Sequence, residues 1–139
     1  MLEKNPETLK ILYKAFPLRS HKLARPAVEG ALAAGKQGRF WEFHDKVFAF
    51  LAPGSKKRLD DKELGQIPIE MGLDMRRYLK DMKSPEIKKI VDRDMREGSL
   101  AGVRGTPTLF VNGLLVKDRS PAGLQKVIDS ELKKMKNNK

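Results

Sequence analysis

The spacing of apolar and polar residues along this chain changes period several times. In "TLKILYKAF", Leu9, Ile11 and Tyr13 fall on one face, while Lys10, Leu12 and Lys14 fall on the other. That is the two-residue repeat of a strand over 8–16. Phe16-Pro17 closes it, because proline cannot donate into a ladder. From Ala24 the repeat lengthens. Ala24, Ala27, Val28, Ala31 and Leu32 recur at three and four residues, predicting a helix whose small-residue face suits close packing. Pro26 belongs to its first turn or kinks it. Gly35 and Gly38 bracket a break, and "RFWEFHDKVFAFL" (39–51) forms a second, strongly aromatic helix ended by Pro53-Gly54.

The polar loop "SKKRLDD" leads into a helix reaching Met71, capped by Asp60 or Asp61. Pro68 inside it predicts a kink or two short pieces, and Gly72 a C-terminal stop. Asp74 caps a short helix over 74–82. Ser84 and Pro85 open another, ended at Gly98, with Ile87, Ile90, Val91 and Met95 as its buried stripe. Thr108 to Asn112 is strand-like, Asn112-Gly113 is a two-residue turn signal, and Leu114 to Val116 returns, so a hairpin is predicted. Ser120 and Pro121 open the last helix, with Leu124, Val127, Ile128, Leu132 and Met135 as its apolar stripe; the closing "KNNK" frays. Strand, helices, hairpin, helix imply one sheet covered by helices, α/β or α+β. Three short strands are a meagre sheet for 139 residues, as though an element were missing.

Composition narrows the chemistry. The chain holds no cysteine, which removes disulfides, thiolate nucleophiles, zinc–thiolate sites and dithiol redox chemistry together. Its 29 Lys+Arg against 18 Asp+Glu give a net charge of +11, enough to favour phosphate backbones or anionic surfaces. The cations are scattered, however, and mostly alternate with acids at helical spacing, the pattern of solvated helix faces. No apolar run reaches the length of a membrane span. "MLEKNPETLK" lacks the apolar centre of a secretory signal; the chain is cytoplasmic, or has lost a signal, or begins downstream of one.

Nothing around His21 or His44 has metal-ligand spacing. His44 is expected to be packed or hydrogen-bonded in its helix, and His21 exposed. Phe40, Trp41, Phe43, Phe48 and Phe50 are expected to build a helical core, with some facing an apolar groove. "GALAAGKQG" lacks the Lys-Ser/Thr ending of a phosphate loop, and Ser20, Ser99 and Ser120 have no histidine–acid partners at a recognisable spacing. No cofactor is expected.

"YKAFPL", "ARPAVEGALAAGKQGRFWEFHDKVF", "GLD" and "VRGTPTLFVNG", followed by a capped helix, resemble the DsbA-like thiol–disulfide oxidoreductases from about residue 9 to about 132. The resemblance implies an α/β, thioredoxin-like (DsbA-type) fold in one domain over 1–139, with a helical insertion over 20–100 and thioredoxin-fold elements at 8–18 and 101–136. It also implies what is absent: the family's first strand, and a C-x-x-C at a helix N-terminus whose thiolate attacks disulfides. In the family that strand is central to the sheet, so its absence accounts for the thin sheet as well as the missing cysteines. Pro107 matches the family's cis-proline, although an X–Pro bond is trans by default. Thr106 matches the residue before it, whose backbone meets substrate polypeptide, and Val103, Arg104 and Gly105 lead into it. Arg104, Gly105, Thr106 and Pro107 are thus the candidate substrate-binding residues, with no catalytic or metal-binding residue assigned.

Three functions follow in order. The first is the C-terminal majority of a DsbA-like oxidoreductase, unable to exchange disulfides as written, from a family that suggests the periplasm or another extracytoplasmic location. The second is a cysteine-free module that keeps the polypeptide groove. The third, a nucleic-acid or anionic-surface binder, lacks basic–aromatic interleaving. A sheet without its central strand also predicts a homo-oligomer, through strand exchange or edge pairing of Leu9 to Tyr13 or of the Leu109 to Val116 hairpin.

Overall fold

The computed structural model describes residues 5–55 and 58–137. Among these described residues six helices and one hairpin follow in the order α1 (Ala24–Gly35), α2 (Phe40–Ala49), α3 (Asp61–Glu70), α4 (Met75–Met82), α5 (Pro85–Leu100), β1 (Phe110–Val111), β2 (Leu114–Leu115) and α6 (Pro121–Asn137). The described residues divide between two compact units, those of Lys14–Gly102 and those of Met1–Tyr13 with Val103–Lys139. The first unit is helical; the second carries the hairpin and α6.

In the helical unit α1 packs against α2, α4 and α5. Small residues permit this: Ala27, Gly30, Ala31, Ala33 and Ala34 are the buried positions of α1. The buried face is thus wider than the predicted stripe, and Val28 and Leu32 are only half-buried. Phe43 from α2, Leu64 and Ile67 from α3, Tyr78 from α4 and Ile87 from α5 complete the cluster. Phe43 and Tyr78 lie 6.1 Å apart between ring centroids, directly over Gly30. Helix starts follow from local chemistry. Asp60, Asp74 and Ser84 each accept a hydrogen bond from the backbone N–H three residues on, at 2.8, 3.0 and 3.3 Å, satisfying donors that the first turn leaves free.

Three expectations need correction here. Pro68 does not split its helix into two pieces: it lies within α3, fully buried, and beyond it the Met71 N–H donates to the Ile67 carbonyl at 3.0 Å. The proline has no N–H to donate to the carbonyl four residues back, and the helix tolerates the loss two residues from its end. Gly98 does not end α5, which continues to Leu100; the stop comes at Gly102, whose φ of +79° suits glycine in the left-handed region. Along α5, Ile87 and Val91 are buried as expected, but the third buried position is Asp94, while Ile90 and Met95 are half-buried.

Asp94 is buried because its bonds are made. One oxygen accepts the Ala15 N–H at 3.1 Å, and the other accepts Lys14 Nζ at 3.2 Å and Arg93 Nη2 at 3.2 Å. Lys14 also donates to Glu97 at 2.7 Å. Asp94 thereby ties the Lys14–Ala15 backbone to α5.

In the second unit the Asn112-Gly113 turn closes the hairpin, with φ of 48° and 82°, pairing Phe110 with Leu115 and Val111 with Leu114. Two positive φ values in succession match the twist of a two-residue hairpin. Ser120 caps α6 by accepting the Gly123 N–H at 3.1 Å. Ile128 is buried, but Met135 is exposed, contrary to the predicted stripe. Lys136 and Asn137 remain helical; the last two residues of "KNNK", and Lys56 and Lys57 of "SKKRLDD", lie outside the described residues.

The strand predicted over 8–16 is not formed. Thr8 and Leu9 N–H both turn back to the Asn5 carbonyl, at 3.3 and 3.1 Å. From Lys10 to Leu12 the chain makes no hydrogen bond to a described residue. Alternation supplies the face pattern of a strand, but a strand also needs a neighbour to pair with. The sheet among the described residues is therefore two-stranded.

Ion pairs, hydrogen bonds and burial together set a pH window. Hydrogen bonds from Lys14, Ser120 and Lys134 hold Glu97, Asp118 and Glu131 below their ordinary carboxylate values. Folded-state depression adds stability above the unfolded values that is lost as pH falls through the folded ones. At the other limit, Glu97 raises Lys14, Glu86 raises Lys36, and burial pushes Tyr78 up to about 12. For the two lysines the contribution is present below the unfolded value and is lost as pH rises through the folded one. Tyr78 is neutral when protonated, so its burial likewise favours the folded state until pH passes the unfolded value. Urea midpoints measured against pH are expected to be flat through neutrality, to fall in the acid carboxylate range, and to fall again above about pH 10. A midpoint that rises between about pH 10 and 12 would contradict this.

Candidate functional site

The loop before β1 brings Arg104, Gly105, Thr106 and Pro107 together at the surface. Arg104, Thr106 and Pro107 are exposed and Gly105 is half-buried. The Thr106–Pro107 peptide bond is cis. Two side chains fix the loop. Thr108 Oγ1 donates to the Gly105 carbonyl at 2.7 Å, and Arg119 Nη1 donates to the Pro107 carbonyl at 2.7 Å. Behind it, Val116 N–H donates to the Leu109 carbonyl at 2.9 Å, extending the hairpin pairing toward Pro107.

The carbonyls on either side of Thr106 are therefore occupied, whereas its own N–H and carbonyl have no partner among the described residues. Backbone groups without an internal partner require water or an incoming chain. A donor and an acceptor without a described partner on one exposed residue form the minimal template for pairing with an extended polypeptide. Beyond it the hairpin presents apolar surface at Phe110, Leu114 and Leu115.

Thr108 and Arg119 lie outside the set predicted from the sequence. The Thr108 bond runs three residues back, a local pattern common for hydroxyl side chains. Nothing in the sequence near Arg119 links it to a carbonyl twelve residues earlier.

The other candidates sit in the helical unit. His44 stacks on Phe48 with ring centroids 4.5 Å apart and meets Trp41 edge-on at 5.4 Å. Its Nδ1 is 2.9 Å from Asp45 Oδ1. Phe43 is core, while Trp41 and Phe48 are about half exposed. His21 is exposed. Among the described residues no group of three or more His, Asp or Glu side chains is placed to hold a metal ion, and no helix is long and apolar enough to cross a membrane.

Comparison with known proteins covers most of the chain. The family model of the DSBA-like thioredoxin domain matches residues 1–129. A thioredoxin-like oxidoreductase from Silicibacter pomeroyi DSS-3 superposes with a TM-score of 0.74 at 27% identity, over 87% of this chain and 67% of that one. The probable disulfide bond formation protein D of Bacillus anthracis is 32% identical over 100 residues, 70% of this chain and 46% of that protein. A Na(+)/H(+) antiporter NhaA of Herminiimonas arsenicoxydans is 34% identical over 101 residues, 73% of this chain but 16% of the antiporter. The chain thus spans less than half the length of these two relatives.

Proposed function

Because this chain belongs to the DSBA-like thioredoxin domain family and has its thioredoxin-like fold, we propose that it is a polypeptide-docking element of disulfide-exchange chemistry. Residues Arg104 to Pro107 hold an extended segment of a client protein. The observation that carries this reading is Thr106, exposed and with both backbone groups unpartnered among the described residues. Exchange itself needs a thiolate, and none of the 139 residues is a cysteine. This chain's own contribution is therefore binding: it aligns a client backbone, and the neighbouring apolar hairpin takes apolar side chains. A cysteine-free binding module in its own right uses the same seat in the same way.

A permanently unfolded, thiol-blocked polypeptide is the direct probe. It should bind saturably with no reductant present, read by fluorescence anisotropy, because no thiol chemistry is involved. No saturable binding would refute the docking function. The family is typically extracytoplasmic, and under this reading the clients are polypeptides of that environment.

The second unit also supports self-association. Lys10 to Leu12 is unpaired among the described residues, and Ile11 and Leu12 are exposed apolar residues beside free backbone. Such a segment is a template for a second copy. Sedimentation velocity is expected to show mass rising with concentration, and Leu12→Lys, which places a charge on that segment, is expected to reduce it. A monomer throughout would rule out edge pairing.

A further inference from the structure

Resting on the reading of Arg104 to Pro107 as a polypeptide seat, we propose that this seat selects segments carrying an acidic residue, and that Arg104 sets the preference. Arg104, Lys117 and Arg119 are all exposed, and none is ion-paired with a described residue. Arg119 is held by its bond to the Pro107 carbonyl. A carbonyl carries no formal charge, so that bond leaves the guanidinium without an ion-pair partner among the described residues.

The carboxylates of residues 103–137 make their hydrogen bonds elsewhere, and none is ion-paired with Arg104, Lys117 or Arg119. Asp118 accepts the Ser120 N–H at 3.0 Å and lies against Gly123 in the first turn of α6. A carboxylate there is matched to the positive end of the helix. Asp129 accepts from Gln125 at 2.8 Å, and Glu131 accepts from Lys134 at 2.6 Å and Asn112 at 3.3 Å. The loop therefore presents cationic groups that no acid of this stretch meets in an ion pair.

A chain paired to the Thr106 backbone sends alternate side chains to opposite faces. A carboxylate near the paired position can meet the Arg104 fork in a charge-assisted pair. An ammonium in its place meets the like charge of that guanidinium. Each exposed pairing is modest, but attraction for one ligand and repulsion of the other add, giving roughly tenfold discrimination at low ionic strength.

The test uses three labelled peptides, identical except for Glu, Gln or Lys at two central positions, with affinity read by anisotropy at low salt. The Glu peptide is expected to bind about tenfold more tightly than the Lys peptide, and the difference to shrink in high salt. Arg104→Gln should bring the Glu and Gln peptides to nearly equal affinity. Arg96→Gln, which removes an exposed cation of α5 in the helical unit, should leave the preference intact. Equal binding of all three peptides overturns the selection while leaving the docking function standing. Binding of none removes both. A preference abolished equally by Arg96→Gln is an effect of net charge and overturns the role of Arg104.

Discussion

Gly30→Val is expected to destabilise the helical unit by about 3 kcal/mol or more, the cost of forcing extra atoms into a filled core. A Cβ at Gly30 would stand 2.5 Å from Tyr78 Oη and 2.8 Å from Phe43 Cζ. Neither ring has room to retreat: Phe43 is 0% and Tyr78 3% exposed. Alanine already meets both contacts, and its better helix propensity, worth about 1 kcal/mol, offsets only part of the cost. Valine adds two methyl groups to the same space. Gly65 is the internal contrast, since it lies in α3 and a methyl group there would have nothing within 4 Å. Gly65→Ala is expected to stabilise by about 0.5–1 kcal/mol. Thermal unfolding followed by helical circular dichroism separates the two. Wild-type stability in Gly30→Val would mean that α1, α2 and α4 do not approach as closely as described.

Asp94→Ala is expected to cost about 3 kcal/mol, the range for leaving buried partners of a charged hydrogen-bonding group unsatisfied. The substitution strands the Ala15 N–H and withdraws the buried partner of Lys14 and Arg93. The Ala15 bond is the larger part, because Ala15 is 1% exposed and water cannot replace the acceptor freely. Lys14 keeps Glu97 and solvent. Asp94→Asn retains an acceptor for Ala15 and should therefore cost clearly less. Urea unfolding of the two variants gives the comparison; equal losses would assign the effect to the lost charge rather than to the backbone bond.

These two residues also mark what the sequence could and could not convey. Local chemistry was legible: Asp60, Asp74, Ser84 and Ser120 cap helices where a short polar side chain precedes an apolar repeat, and Asn112-Gly113 turns the hairpin. The motifs around Thr106 and Pro107 point to the family that the chain belongs to. Features that depend on a partner were not legible. Alternation at Leu9, Ile11 and Tyr13 predicts a strand face but supplies no neighbouring strand. The apolar repeat of α6 reaches Met135 but does not say how far along the helix a packing surface extends. A buried Asp94 breaks the apolar stripe of α5, and only the fold reveals that the Ala15 backbone fills the same place. Gly98 has the composition of a stop, yet a stop needs a left-handed backbone, which Gly102 supplies.

Thr106 is the centre of the proposed seat, and amide-resolved NMR during titration with an extended, thiol-free peptide tests it most directly. Docking predicts that the Thr106 amide shifts and becomes protected from solvent exchange as the seat fills, with smaller changes at Arg104, Gly105 and the Phe110 to Leu115 hairpin. A peptide that binds while Thr106 remains unshifted and exchanges at its free rate would contradict docking at this loop and move the binding surface elsewhere.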